Sequence, residues 1–319
     1  MPSEFELIQR HFTRPARHTD LAVGDDAALL RPRPGMQLVV STDMLVAGNH
    51  FLPDADPEAL GWKTLAVNVS DIAAMGAEPR WALLALALPR ADEAWLAAFA
   101  RGLFACADAF GVDLAGGDTT RGPLDLCVTV IGEVPAGAAI TRSGAHPGDD
   151  VWISGWPGRA ALGLAQLRGE VTLAADAAAA CLHALHRPQP RLAAGLALRG
   201  VASAMLDVSD GLLGDLRHIL ERSGVGAIVE QSALPLAALP ATGVPPELAR
   251  RCLLAGGDDY ELLFTAPASQ RTPLAALSAR LALPFSRIGR ITAEAGSLLM
   301  EDAGGRRFVP SECGYDHFA

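Results

Sequence analysis

Residues 57–75 constrain the fold more than any other stretch of this chain. Asp56-Pro57-Glu58 has the form of a helix start, with Asp56 as N-cap and Pro57 at the first helical position. Gly76 suits the left-handed cap that closes such a helix after Met75. Thr64, Asn68 and Asp71 recur at i, i+4 and i+7 and therefore share one face. Leu65, Val67, Val69, Ile72 and Met75 occupy much of the remaining surface, and no charge falls between Thr64 and Ser70. A helix of this kind buries most of its circumference and turns its polar stripe either to solvent or to a polar site. The charge-free stretch favours a site.

Asp71 is one of five places where carboxylates stand among small oxygen-bearing residues. The others are Gly24-Asp25-Asp26, Ser41-Thr42-Asp43, Gly116-Gly117-Asp118-Thr119-Thr120 and Asp207-Val208-Ser209-Asp210-Gly211. Carboxylates and hydroxyls are the ligands that hard divalent cations take, and magnesium combines a few of them with phosphate oxygens. The chain holds a single lysine, Lys63, so ammonium groups are a poor means of binding polyphosphate here. Metal ions held on carboxylates neutralise phosphates instead. The first reading is a magnesium-dependent enzyme acting on a phosphate ester.

Each motif has a plainer reading. Gly-Asp-Asp occurs at Gly24, Gly148 and Gly257, and Gly-Asp is a favoured turn sequence. Gly148-Asp149-Asp150 follows Pro147 and reads as a turn. Gly116-Gly117 reads either as an ordinary turn or as a place where backbone amides approach a phosphate beside Asp118. Ser209 or Asp210 can simply cap the helix that follows, or the same turn can gather helix amides, a hydroxyl and two carboxylates at one point. Five such motifs together favour a site.

At 319 residues the chain accommodates two domains. Half of it is apolar and 5% aromatic, so Ala, Leu and Val build the cores. The net charge of −10 argues against a nucleic-acid surface, and no apolar run reaches a membrane span. The N-terminus lacks a basic segment followed by an apolar one, so no secretory signal is expected. Cys106, Cys127, Cys181, Cys252 and Cys313 have no CxxC spacing and read as reduced, mostly buried thiols of a cytoplasmic protein.

Along the chain, residues 37–41 read as a strand delivering Thr42 and Asp43 at its end. Strands follow at 81–88, 112–115 and 124–134, with a helix over 92–110. The chemistry of residues 144–148 marks a boundary, and the domains are expected at 1–137 and 138–319. The second half alternates strands at 151–154, 205–208, 260–265 and 288–291 with helices at 158–168, 174–185 and 212–222. Residues 231–246, with four prolines, read as a loop excursion. No GxxxxGK[ST] loop, HExxH pair or G-x-S-x-G elbow is present.

The motifs GDDAALL at Gly24, STDMLVAGNHF at Ser41, KTLAVNVSDIAAMGAEP at Lys63, GGDTTRGP at Gly116, TRSGAHPGD at Thr141, LDVSDGL at Leu206, GGDDYELLFT at Gly256 and the closing GYDHF resemble the bacterial thiamine-monophosphate kinase family. That family shares a superfamily with aminoimidazole ribonucleotide synthetase, selenophosphate synthetase and a hydrogenase maturation factor. The resemblance covers essentially the full chain. It implies an α+β, two-domain PurM-like architecture: an N-terminal α+β sheet domain that pairs across a dimer, and a C-terminal mixed α/β domain. It implies metal ligands at Asp26, Ser41, Thr42, Asp43, Asp71, Asp118, Asp207 and Asp210, and ATP contacts from Gly117, Asp118, Arg142 and Ser209. His50, Asp258 and Tyr315 fall on the thiamine phosphate side. The family's usual residue at position 258 is Glu, so Asp258 keeps the charge and shortens the reach by one methylene.

The implied reaction is ATP plus thiamine phosphate giving ADP and thiamine diphosphate, with several Mg2+ ions and direct in-line transfer. The acceptor phosphate, with a second pKa of about 6, is largely dianionic at neutral pH, so no catalytic general base is expected. Two alternatives compete with this reading. One is a related ATP-dependent enzyme activating a carbonyl oxygen or a selenide, although residues 1–26 hold neither the Cys nor the Lys of selenophosphate synthetases. The other is a non-catalytic nucleotide sensor.

Overall fold

The computed structural model describes residues 3–236, 239, 244–311 and 314–315. Cys313 and the Asp316, His317 and Phe318 of the closing motif lie outside the described residues, as do several positions of the 231–246 segment. The chain divides into two compact units. One runs to Ala73 and resumes over Ala77–Ala139; the other comprises Ala74–Gly76 and everything from Ile140 onward.

The first unit contains α1 (Glu4–His11), the short strands β1 (Thr19–Leu21) and β2 (Leu29–Leu30), then β3 (Met36–Val46), α2 (Pro57–Ala74), β4 (Glu78–Leu88), α3 (Glu93–Phe110), β5 (Asp113–Arg121) and β6 (Asp125–Pro135). Its main sheet has the order β3-β6-β4-β5, antiparallel except for the β4–β5 pair. The signals at Asp56 and Gly76 act as anticipated, and α3 is closed by caps of the same kind. The Asp56 carboxylate accepts the Ala59 amide at 2.8 Å, Asp92 accepts that of Trp95 at 3.1 Å, and Gly76 and Gly111 close α2 and α3 at φ +63° and +69°.

Strand β6 alternates from Asp125 to Gly132, with Leu126, Val128 and Val130 buried on the helix-covered face. A β-carbon at Gly132 on that face would lie 2.8 Å from Ile72, which places α2 against the sheet. The two long helices cross at a pair of glycines. A β-carbon at Gly61 would sit 2.0 Å from the Phe99 carbonyl oxygen, and one at Gly102 1.7 Å from that of Glu58. The opposite face of edge strand β3 is open, leaving Leu38, Val40 and Met44 exposed.

Two strands are longer than the sequence suggested. Thr42 and Asp43 lie within β3 rather than at its end, paired in register with Thr129 and Val128. Gly116, Gly117 and Asp118 lie within β5 rather than in a turn after it, because a register irregularity between Leu114 and Gly116 lets β5 continue along β4. Gly117 is required there: a β-carbon would stand 1.9 Å from the Leu84 carbonyl oxygen.

The second unit contains β7 (Asp150–Ser154), α4 (Arg159–Leu167), α5 (Ala175–His186), α6 (Leu192–Ala197), β8 (Ala204–Asp207), α7 (Leu212–Ser223), β9 (Gly226–Glu230), α8 (Pro246–Ala255), β10 (Leu262–Ala266), α9 (Arg271–Leu281), β11 (Phe285–Thr292), β12 (Leu298–Glu301) and β13 (Arg307–Phe308). Its sheet has the order β13-β12-β9-β11-β7-β10-β8, with β9 and β12 its parallel pair. Strands β7 and β10 and the edge strand β8 are buried throughout because both faces are covered. On one face Val151, Ile153, Leu206 and Leu263 pack with Leu162, Leu212, Leu216 and Leu253. On the other, Trp152, Met205, Leu262 and Phe264 pack with Ala194, Leu274 and Leu277. Burial on both faces removes the period-two signal, which is why these strands read as continuous apolar runs.

Candidate functional site

In the first unit, the polar stripe of α2 faces β3. Thr64 and Asn68 are each 1% exposed, so this face is not solvated surface. The Thr64 hydroxyl donates to the Leu60 carbonyl at 2.7 Å, and the Asn68 amide donates to the Thr64 carbonyl at 3.1 Å. The Asn68 side-chain oxygen then accepts the Asp43 backbone amide at 3.1 Å. One turn further on, the Ser41 hydroxyl donates to Asp71 Oδ2 at 2.6 Å. The stripe thus brings Ser41, Asp43 and Asp71 to one helix–strand seam.

Thr42 points the other way, as strand alternation demands, and shares a 2.8 Å hydrogen bond with the Thr129 hydroxyl. Asp118 is exposed on β5. It falls in the cross-strand row Met44, Cys127, Ala85, Asp118, which is about 14 Å along the sheet at three strand spacings. Asp26 is exposed in a loop, its amide bonded to Asp25 Oδ1 at 2.9 Å. His50 lies in the turn after β3. Its Nδ1 accepts the Val46 amide at 3.0 Å, which puts the proton of the neutral ring on Nε2.

In the second unit the 207–211 turn is the centre of a dense network. Asp215, 4% exposed and one turn into α7, accepts the amides of Ser209, Asp210 and Gly211 on its Oδ2 at 3.1, 3.0 and 3.1 Å. Burial pushes its carboxyl up to about 7; the nearby Asp210 charge adds to that rise, while the three amides oppose it. The helix is therefore not capped by Ser209 or Asp210. Its N-cap is Gly211, with no side-chain cap, and Asp215 does the work from inside. The remaining backbone of the turn is stitched to two distant segments. Tyr260 and Asp258 amides donate to the Val208 and Ser209 carbonyls at 2.8 and 2.9 Å, and the Tyr315 amide donates to the Asp210 carbonyl at 2.8 Å.

Asp207, Ser209, Asp210, Asp258 and Tyr315 are thereby brought together. Asp258 (φ +66°) and Tyr260 (φ +51°) are two of three non-glycine residues with positive φ among the described residues, so backbone strain concentrates here. The Tyr260 hydroxyl donates to Asp258 Oδ1 at 3.0 Å. Arg142 is exposed in the segment before β7, its carbonyl accepting the Ser223 hydroxyl at 3.3 Å.

Among the described residues no three His, Cys, Asp or Glu side chains form one chelating cluster. The donors present are hard oxygens in pairs, such as Asp71 with Ser41. That set fits magnesium, which is typically held by one or two carboxylates plus substrate phosphates rather than by an all-protein cage.

Residues 24–134 match the family described as AIR synthase related protein, N-terminal domain, and residues 146–300 match its C-terminal domain. The thiamine-monophosphate kinase of Escherichia coli (strain K12) is 46% identical over 321 residues, spanning 99% of this chain and 98% of that one. The chain belongs to the thiamine-monophosphate kinase family. The crystal structure of the thiamine-monophosphate kinase from Stenotrophomonas maltophilia K279a is 48% identical, with a TM-score of 0.82 over 90% of this chain and 92% of that one. AaThiL complexed with AMPPCP and TMP is 31% identical, with a TM-score of 0.78 over 93% and 92%. The PurM-like two-domain fold of mixed helix and sheet follows.

Seen as a member of the thiamine-monophosphate kinase family, the chain holds supporting residues to which the sequence reading gave no role. Glu261, buried, accepts Arg191 through paired bonds of 2.7 and 2.6 Å, the Ser154 hydroxyl at 2.7 Å and the Trp156 amide at 2.9 Å. Burial works against the Arg191 charge, but Glu261 outweighs it and holds the guanidinium above its ordinary value. Asp259 accepts the Gly158 amide at 2.7 Å. Its carboxyl is pushed well above the usual range by desolvation first, then by the charges of Glu261 and Asp258. For Asp215 a signal did exist: it is a lone carboxylate on the apolar face of α7, four residues past Gly211. Arg191 gives none, because its partner is 70 residues away.

Proposed function

We propose that this chain transfers the γ-phosphoryl group of ATP to thiamine monophosphate, giving ADP and thiamine diphosphate, the closing step of thiamine diphosphate formation. The observation that carries this reading is the 46% identity to the Escherichia coli kinase along essentially the whole of both chains. The relative complexed with AMPPCP and TMP supports the substrate pair.

Asp26, Ser41, Thr42, Asp43, Asp71, Asp118, Asp207 and Asp210 would hold Mg2+. When bound, the ions neutralise and align the phosphates. Gly117, Asp118, Arg142 and Ser209 face ATP in this reading, and His50, Asp258 and Tyr315 the acceptor. His50, with Nδ1 occupied by Val46, offers an Nε2–H donor, which suits an anionic acceptor. The acceptor phosphate is its own nucleophile, so none of these residues moves a proton. Direct in-line transfer leaves no labelled enzyme after incubation with γ-labelled ATP alone; a covalent label would overturn it. Free, mostly buried thiols at Cys106, Cys127, Cys181 and Cys252 support a cytoplasmic setting, and no described helix is long and apolar enough to cross a membrane.

A homodimer joined through the N-terminal sheet is part of the proposal. The open face of edge strand β3, with Val40 59% exposed between Leu38 and Met44, supports it. Val40→Glu is expected to shift the chain from dimer to monomer in light scattering without unfolding it. A wild-type mass at low micromolar concentration rejects this interface.

Lys63 provides a second test. It is 4% exposed within α2, which supports a structural role. Lys63→Met is expected to lower the melting temperature while turnover falls far less than on loss of Asp43 or Asp118. Lost turnover with unchanged melting would mean that the lysine reaches the phosphates.

The deciding experiment measures ADP and thiamine diphosphate with purified protein, ATP, Mg2+ and a panel of thiamine phosphates. Nucleotide binding without acceptor-dependent turnover would favour the sensor reading.

A further inference from the structure

We propose that Asp215 is the positioning residue of the 207–211 turn, an internal carboxyl group that fills the turn's amide nest so that none of those amides meets a ligand. A strand running through a glycine turn into a helix is ordinarily a place where backbone amides bind phosphate. Here the amides of Ser209, Asp210 and Gly211 all converge on one oxygen of Asp215, at 3.0–3.1 Å. The carbonyls of Val208, Ser209 and Asp210 are taken by Tyr260, Asp258 and Tyr315, and that of Gly211 by the Asp215 amide at 2.9 Å. No backbone amide from Ser209 to Gly211 is left to offer a ligand. The turn also has no room to open: a β-carbon at Gly211 would lie 2.8 Å from the Ala255 backbone, and one at Gly257 2.4 Å from the Ser209 carbonyl oxygen.

A phosphate group entering this nest would have to expel Asp215, stranding a carboxylate among Leu212, Leu213 and Leu216 without partners. The turn also carries the Ser209 hydroxyl and the carboxylate of Asp210, and that carboxylate repels phosphate unless a cation lies between. Asp215 thus makes nucleotide binding at this turn depend on a divalent ion. The same carboxylate fixes where Ser209 and Asp210 stand. This inference rests on the phosphotransfer reading only for its turnover measurement.

The test uses Asp215→Ala and Asp215→Asn in the full chain, with a fluorescent ATP analogue titrated in excess Mg2+ and in EDTA. Wild-type binding is expected to need the metal. Asp215→Ala frees the nest, so its metal-free affinity should rise about tenfold or more while its affinity in Mg2+ falls. Turnover of both variants is expected to fall roughly 10–100-fold, the size seen when a residue supporting metal ligands is removed. Formate, a free carboxylate, should restore part of the Asp215→Ala rate and none of the Asp215→Asn rate. Wild-type metal dependence of nucleotide binding in both variants would overturn the proposal, whatever happens to turnover. If Asp215→Ala does not fold, Asp215→Asn decides: a higher half-saturating Mg2+ at an unchanged melting temperature supports the assignment, and a wild-type value overturns it. Failure of both to fold makes Asp215 a folding residue and also overturns it. A wild type that binds nucleotide with metal but turns over no thiamine phosphate would sink the functional reading and leave this one standing.

Discussion

Asp71→Asn is expected to cost roughly 100-fold or more in turnover while leaving the fold intact. The reason lies in the separation of shape from charge at the α2–β3 seam. Asn keeps an oxygen that accepts the Ser41 hydroxyl, now 2.6 Å from Asp71 Oδ2, so the helix–strand contact survives. Thr64 and Asn68 hold α2 and the Asp43 amide in place without Asp71. The stability change should stay within about 0.5 kcal/mol, as for substitutions that remove no packing. What is lost is a negative charge beside Asp43. Half-saturating Mg2+ should rise accordingly, and metal-free melting should match the wild type. Wild-type turnover at limiting Mg2+ would show that this seam only packs helix against sheet.

The largest stability effect is expected at Gly102. Helix interiors ordinarily favour Ala over Gly by about 1 kcal/mol, so Gly102→Ala would stabilise α3 if the helix stood alone. In the folded unit the new β-carbon would sit 1.7 Å from the Glu58 carbonyl oxygen and 3.0 Å from the Trp62 amide, both backbone atoms of α2. Backbone cannot rotate out of the way as a side chain does, and Gly61 on the facing helix is equally tight against Phe99. The helices must separate, loosening the packing around Leu65, Phe99 and Leu103. Overpacking of this sort costs about 3 kcal/mol, a loss of about 4–5 °C in melting temperature for 319 residues unfolding together. An unchanged melting temperature would mean that the crossing is not the rigid contact it is in the structure.

Where a signal is local, the chain carries it openly. The caps at Asp56, Asp92, Gly76 and Gly111 mark α2 and α3 because capping is a matter of residues within one turn of each other. The stripe of Thr64, Asn68 and Asp71 marks a polar face for the same reason. Its burial against β3 is another matter, since Asn68 meets an amide 25 residues away. The Gly116-Gly117-Asp118 motif shows the limit from the other side. Its composition is that of a turn, yet pairing with β4 keeps it in a strand, because a register irregularity before Gly116 and the absence of a β-carbon at Gly117 let two backbones run side by side.

The candidate site divides in the same way. Sequence alone determined which residues could serve it: oxygen ligands in five motifs, one lysine, no competing phosphate loop, and a family pattern covering the chain. Only the tertiary structure decided where they stand. It turned Thr42 away from Ser41 and Asp43, because strand neighbours point to opposite faces. It drew Asp258 and Tyr315 onto the turn that holds Asp207 and Asp210, and placed Asp215 beneath that turn's amides. These contacts join residues up to about 100 positions apart. No periodicity or cap encodes such pairings; they arise because buried amides and carboxylates must find partners wherever packing leaves them.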